Sequence, residues 1–218
     1  MVRLARPCHM PFSWTCTTPR CSTKFTGAQA GIQVDLTPLG AFILLARPMS
    51  ELTNRLPSLP ELDIPALAAL PERLAEEATW ANRFALVDAV LCRLFRDPLL
   101  QPDPAVDWAW LQLTRTAGGM PVAALASEIG WSRRHLLTKF HEQLGLPPKT
   151  LARVLRFRRT VALLAPGGSP QVGDGAGNLA EIAARCGYAD HSHLVREFHA
   201  LAGCPPTEYL NELRAALS

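Results

Sequence analysis

No stretch of this chain approaches the roughly 20 apolar residues that span a bilayer, and Ala41 to Ala46 is among its longest unbroken runs. A membrane-spanning protein is therefore not expected. The start, Met1-Val-Arg-Leu-Ala-Arg-Pro, puts charges and proline where a secretory signal would need an apolar segment, so the expected location is the cytoplasm. Cysteine is scarce: Cys8, Cys16, Cys21, Cys92, Cys186 and Cys204 are too few in 218 residues to frame a small secreted fold. Reduced thiols are expected. No C-x2-C pair occurs, and the intervals between Cys8, His9, Cys16 and Cys21 match no metal-ligand spacing, so no metal or cofactor is expected. His191 and His193, two apart on an expected helix, point to different sides and make a poor ligand pair. Catalytic signatures are missing as well, with neither G-x-S-x-G nor H-E-x-x-H present. The chain does not read as an enzyme.

An excess of one sign of charge is also missing from the whole, where 22 basic and 19 acidic residues leave +3. Its distribution is uneven. Residues 1–104 hold ten of each sign, whereas Ser132 to Thr160 holds Arg133, Arg134, Lys139, Lys149, Arg153, Arg156, Arg158 and Arg159 against Glu142 alone, a net +7. Such a run is either a solvated helix face or a surface for a polyanion.

Along the chain, residues 1–30 form an aperiodic stretch rich in Pro, Thr, Ser, Gly and Cys, expected as an irregular tail. The alternation in Ala30-Gly-Ile-Gln-Val-Asp-Leu36 predicts a strand, the remnant of a larger sheet. Helices are expected over Leu39 to Ala46 after the cap Thr37 and first-turn Pro38, over Ile64 to Ala78, and from the cap Thr79 to Phe95. Pro98, Pro102 and Pro104 then break the chain and predict a boundary, giving segments 31–104 and 105–218. Seven further helical patterns follow: Ala105–Thr116, Val122–Ile129, Ser132–Leu144, Lys149–Leu164, Leu179–Cys186, Asp190–Leu201 and Pro206–Leu217. Pro166 to Gly177, with five Gly and two Pro, reads as a linker, since its Gly173-x-Gly175-x-Gly177 follows no strand and lacks Gly-Lys-Ser/Thr. The fold class is mainly α.

Part of this pattern is duplicated. Leu125-Ala126-Ser-Glu-Ile-Gly130-Trp131 recurs as Ile182-Ala183-Ala-Arg-Cys-Gly187-Tyr188, and Leu136-x3-Phe140-His141 with Gly145, Pro147 and Pro148 recurs as Leu194-x3-Phe198-His199 with Gly203, Pro205 and Pro206. The second copy has one extra residue in its turn. Ala126 and Ala183 are small where two helices cross, and Gly130 and Gly187 supply a left-handed turn. Leu136 with Phe140, and Leu194 with Phe198, bury one face of the second helix of each copy. At 100° per residue the free face then carries Arg134 and Thr138, flanked by Arg133, His135 and Leu137, and in the second copy Ser192 and Arg196, flanked by His191 and His193. These side chains can bond or contact base edges, the arrangement of helix-turn-helix recognition.

With these motifs, and with the helix ending Arg156-Phe-Arg-Arg-x5-Leu164 and the closing Gly203-x-Pro-Pro-Thr-Glu-Tyr209, residues 105–214 resemble the DNA-binding domain of AraC/XylS-family bacterial transcription regulators. The resemblance implies two helix-turn-helix units joined by a long helix, acting on double-stranded DNA. It implies base-facing roles for Arg134, Leu137, Thr138, Ser192, His193 and Arg196, with His191 beside them. Arg133, Lys139 and Arg153 are expected at phosphates. Two departures stand out: Thr138 occupies a position where many members have Arg, and Pro166 to Gly177 is longer than the usual connection. Residues 31–104 resemble the segment that follows a cupin-like β-barrel sensor in some such regulators; its helices are expected to pack against their own chain, with a homodimer contact as the alternative, and RNA polymerase is a further partner expected of a regulator. Two alternatives stay open: a zinc-thiolate DNA-alkylation-response protein, whose paired cysteines Cys8, Cys16 and Cys21 do not reproduce, and an interaction domain that has lost DNA binding.

Overall fold

In the computed structural model, which describes residues 30–164 and 179–217 (side chains to 212), the order of elements follows from where caps and prolines fall. Helix α1 (Pro38–Leu45) begins at Thr37, whose hydroxyl oxygen accepts from Gly40 N at 3.0 Å, with Pro38 in the first turn where its missing N–H costs nothing. A 3₁₀ turn at Met49–Leu52 and another at Pro60–Leu62 follow. The helix expected over Ile64 to Ala78 is instead two short ones, α2 (Pro65–Ala68) and α3 (Leu70–Glu76). Pro71 explains the break at Ala69, since its ring removes a donor and clashes with the carbonyl four residues back. Helix α4 (Trp80–Arg96) starts where expected, with the Thr79 hydroxyl oxygen accepting from Asn82 N.

Among the described residues seven helices follow: α5 (Pro104–Arg115), α6 (Val122–Glu128), α7 (Arg133–Leu144), α8 (Pro148–Leu164), α9 (Leu179–Arg185), α10 (His191–Ala202) and α11 (Pro206–Leu217). The mainly α reading holds, with one correction. Residues 30–36 form no strand. Alternation alone makes no strand when no second strand supplies ladder partners, and among the described residues none does. Only Ile32 packs inward, while Val34 is exposed and Gln33 bonds Asp35 locally at 2.9 Å. The irregular tail, Cys8, Cys16 and Cys21, and the glycine-rich linker lie outside the described residues.

Three apolar clusters hold these helices. Phe42, Met49, Leu52, Leu67, Val87 and Val90 centre the N-terminal one; Leu113, Leu125, Leu136, Phe140 and Leu151 the second; Phe157, Ile182, Leu194 and Phe198 the third. The N-terminal segment is continuous with the second cluster. Leu39 of α1 is buried in that cluster, while Phe42, one turn on, belongs to the first. Thr53 Oγ1 donates to Gly145 O at 2.7 Å, and Asp103 N to the buried Gln143 Oε1 at 2.9 Å. Both bonds seat the N-terminal segment on the last turn of α7.

Helix α8 is shared. Leu151, Ala152 and Leu155 face the second cluster and Phe157 the third. The turn between α5 and α6 comes so close to α8 that a Cβ on Gly118 would lie 2.2 Å from Ala152 O. Gly118 is also at φ +77, with its N–H bonded to Leu113 O at 2.7 Å in a left-handed helix end. No helix of the described residues is long and apolar enough to cross a membrane.

Candidate nucleic-acid interface

The sequence duplication is reproduced bond for bond. After α6, Trp131 N reaches Ala126 O at 2.9 Å across Gly130 at φ +71; after α9, Tyr188 N reaches Ala183 O at 2.9 Å across Gly187 at φ +75. Ala126 and Ala183 are buried at the crossings, as their size requires. Ser132 caps α7, its Oγ accepting from His135 N at 3.1 Å, and Asp190 caps α10, its Oδ1 accepting from His193 N at 2.6 Å. Gly145 and Gly203 close the two helices in left-handed geometry. These are two helix-turn-helix units.

The extra residue of the second turn is Ala189. Its N–H donates to His193 Nδ1 at 3.2 Å, so an added backbone donor is satisfied by a side chain of the following helix. The His193 ring also stands edge-on to Tyr188, at 5.5 Å and 87°. His135 and Trp131 repeat this pair in the first unit at 4.5 Å and 82°. Sequence reading missed this aromatic–histidine staple, although its signal, an aromatic after the turn glycine and a histidine one turn into the next helix, is visible in both copies. With Nδ1 accepting, Nε2 is the ring nitrogen of His193 that can donate.

On α7 the buried face is Leu136, Phe140, Gln143 and Leu144, and Arg133, Arg134, Leu137 and Thr138 are exposed, Leu137 by 50%. Thr138 gives its hydroxyl proton to Arg134 O at 3.1 Å, which leaves its oxygen lone pairs to accept. Lys139 is half-buried and pairs with Glu142 at 2.9 Å. As a surface pair three residues apart, this contributes only a few tenths of a kcal/mol. On α10, Leu194 and Phe198 are buried while His191, Ser192 and Arg196 are exposed.

Arg153, expected at a phosphate, forms a two-pronged pair with Glu197 of α10, Nε to Oε2 at 2.6 Å and Nη2 to Oε1 at 3.2 Å. Its exposed neighbours on α8 are Lys149, Arg158 and Arg159. Beside it, the Arg156 guanidinium lies over the Tyr188 ring at 5.8 Å. Burial pushes the Tyr188 phenol above its ordinary value; its hydroxyl lies beside Thr160, whose own proton goes to Arg156 O at 2.9 Å. The charge contrast of the sequence also maps onto the two units. Residues 132–160 sum to +7, whereas 178–212 hold two arginines against five acids. Among the described residues no three His, Cys, Asp or Glu side chains gather as a metal site.

Residues 125–212 match a family model described as a helix-turn-helix domain. No curated protein matches. Among solved structures, the chain is similar to the C-terminal domain of AraT, a response regulator from Geobacillus stearothermophilus, at 19% identity over 52% of this chain and 88% of that one, TM-score 0.44. It is similar to a probable AraC family transcriptional regulator from Rhodopseudomonas palustris at 22% identity, over 50% and 97%, TM-score 0.42. It is also similar to ToxT from Vibrio cholerae, at 18% identity over 67% of this chain and 54% of that one, TM-score 0.40.

Proposed function

We propose that this chain, whose residues 125–212 match a helix-turn-helix domain model, is an AraC/XylS-type, sequence-specific transcription regulator that sets α7 and α10 into successive major grooves of one duplex. The observation that carries this reading is the repeated division of the two helices. Each buries its Leu and Phe and leaves the residues able to meet base edges outside. Because both units sit on one chain, a monomer can bridge two grooves about 34 Å apart. In this reading Arg134, Leu137, Thr138, Ser192, His193 and Arg196 meet bases, with His191 beside them, while Arg133 and Lys139 meet phosphates. Residues 105–218 form the DNA-binding part and 31–104 a segment packed on it, whose exposed Trp80, Phe95 and Leu99 fit contact with a second copy. In this reading the protein works in the cytoplasm.

Arg134→Ala and Arg196→Ala are each expected to cost about 1 to 3 kcal/mol of affinity at the selected site and to relax base preference at one position. Selection of random duplexes by wild type and both variants, followed by titration of preferred and scrambled sequences, measures this. Unchanged ratios between the two sequences would remove these arginines from base reading.

The first unit is the electrostatic anchor. Each phosphate contact contributes about −0.9 to the slope of log K against log salt, so Arg133→Gln with Lys139→Gln should flatten that slope by about 1.8 and weaken binding to all sequences alike. Ser192→Ala should alter preference at nearly constant slope. Titrations between about 50 and 200 mM salt decide between them, and a larger change of slope from Ser192→Ala would place the anchor in the second unit.

A further inference from the structure

The two faces of α8 are chemically different. Toward the first unit it presents Leu151, Ala152 and Leu155, all buried. Toward the second it presents, at helical spacing, Arg153 against Glu197, Arg156 against Tyr188, Phe157 against Phe198 with ring centroids 4.8 Å apart, and the buried Thr160. Apolar contact holds the first unit to α8, whereas the second is held by apolar contact through Phe157 and by a charged, two-pronged contact beside it.

Contacts of these two kinds do different work. A pair of phenyl rings is attractive over a range of offsets and tilts, so Phe157 and Phe198 tolerate small rotations of α10. A guanidinium fork on a carboxylate does not, because both N–H to oxygen lines must be kept. With side chains 34% and 21% exposed, the Arg153–Glu197 pair adds little to stability once solvent screening is counted. Its consequence is angular. Glu197 follows Arg196 directly and stands five residues after Ser192, so fixing its carboxylate fixes the rotation of α10 about its own axis.

We infer that Arg153 and Glu197 are positioning residues whose pairing sets the placement of the second recognition helix relative to the first, and thereby the spacing of base pairs that the chain accepts between its two half-sites. The inference rests on the two-groove reading above. It places the control of spacing in α8, independently of the chain between α8 and α9.

The test uses the full chain and duplexes carrying its two selected half-sites, with the spacer shortened or lengthened by one and by two base pairs, together with a duplex holding the first half-site alone. Wild type should prefer its selected spacing by about tenfold or more, equivalent to about 1.4 kcal/mol. Glu197→Gln and Arg153→Gln should each reduce that preference to about threefold or less while leaving affinity for the first half-site alone unchanged. The exchanged double variant, Arg153→Glu with Glu197→Arg, should restore much of it. Glu197→Asp, which keeps the charge on an arm too short for both bonds, should also lose spacing preference if either glutamine variant fails to fold. A spacing preference kept by all the single variants overturns the inference, and so does an equal loss at every spacing and at the first half-site alone. Indifference of the wild type itself to spacing overturns the two-groove reading and the inference with it, and is seen before any variant is examined.

Discussion

Gly118→Ala is expected to destabilise the protein by about 2 to 5 kcal/mol, combining the cost of a left-handed L-residue with that of forcing an extra atom into packed surroundings. The added Cβ would stand 2.2 Å from Ala152 O and 2.8 Å from its Cα, which are backbone atoms of α8 and have no alternative rotamer to adopt. Either the α5–α6 turn lifts away or α8 moves, and both loosen the cluster that includes Leu113, Leu125 and Leu151. Gly130→Ala provides the comparison. That glycine has φ +71 but nothing within 4 Å of the added carbon, so only the conformational part, about 1 to 2 kcal/mol, should appear. Thermal and denaturant unfolding of both variants measures the difference, and equal destabilisation would mean that the close approach of Gly118 to α8 is not present in solution.

Phe198→Ala is expected to cost about 3 to 5 kcal/mol, within the second helix-turn-helix unit alone. Phe198 is fully buried, with Phe157 at 4.8 Å on one side and Tyr209 at 5.4 Å on the other, in a small cluster whose other large members are Ile182, Tyr188 and Leu194. Truncating it removes much of what ties α9 and α10 to α8. Phe140→Ala, of similar cost, should instead loosen the first unit together with the segment seated on it through Leu39 and Thr53. Amide hydrogen exchange should therefore show α10 and α11 losing protection in Phe198→Ala while α6 and α7 keep theirs, with affinity for the first half-site retained. A uniform loss across all helices would contradict the division into separate clusters.

These contrasts mark where sequence alone was informative. The positions of Gly130, Gly187, Ala126, Ala183 and of the two Leu–Phe pairs are dictated within a few residues by turn geometry and helical period, and the structure places each as that logic requires. Local logic also misled: an alternating segment at 30–36 has the period of a strand but no partner, and Pro71 outweighed the apolar period between Ile64 and Ala78. Contacts between distant segments carry no period. Nothing in the local sequence singles out Gly118, whose close approach to α8 comes only with the fold, and Arg153 reads as one more cation of a basic run until Glu197, 44 residues later, is brought within 2.6 Å. The burial of Leu39 with the first unit, across the expected boundary, is of the same kind.

Hydroxyl-radical footprinting together with guanine-N7 methylation interference, on a duplex selected by the full chain, tests the two-groove reading most directly. Two patches of major-groove interference about one helical turn apart on the same face, the first lost in Leu136→Ala and the second in Phe198→Ala, are the expected result. Interference confined to a single groove, with no second patch at any spacing, would contradict it.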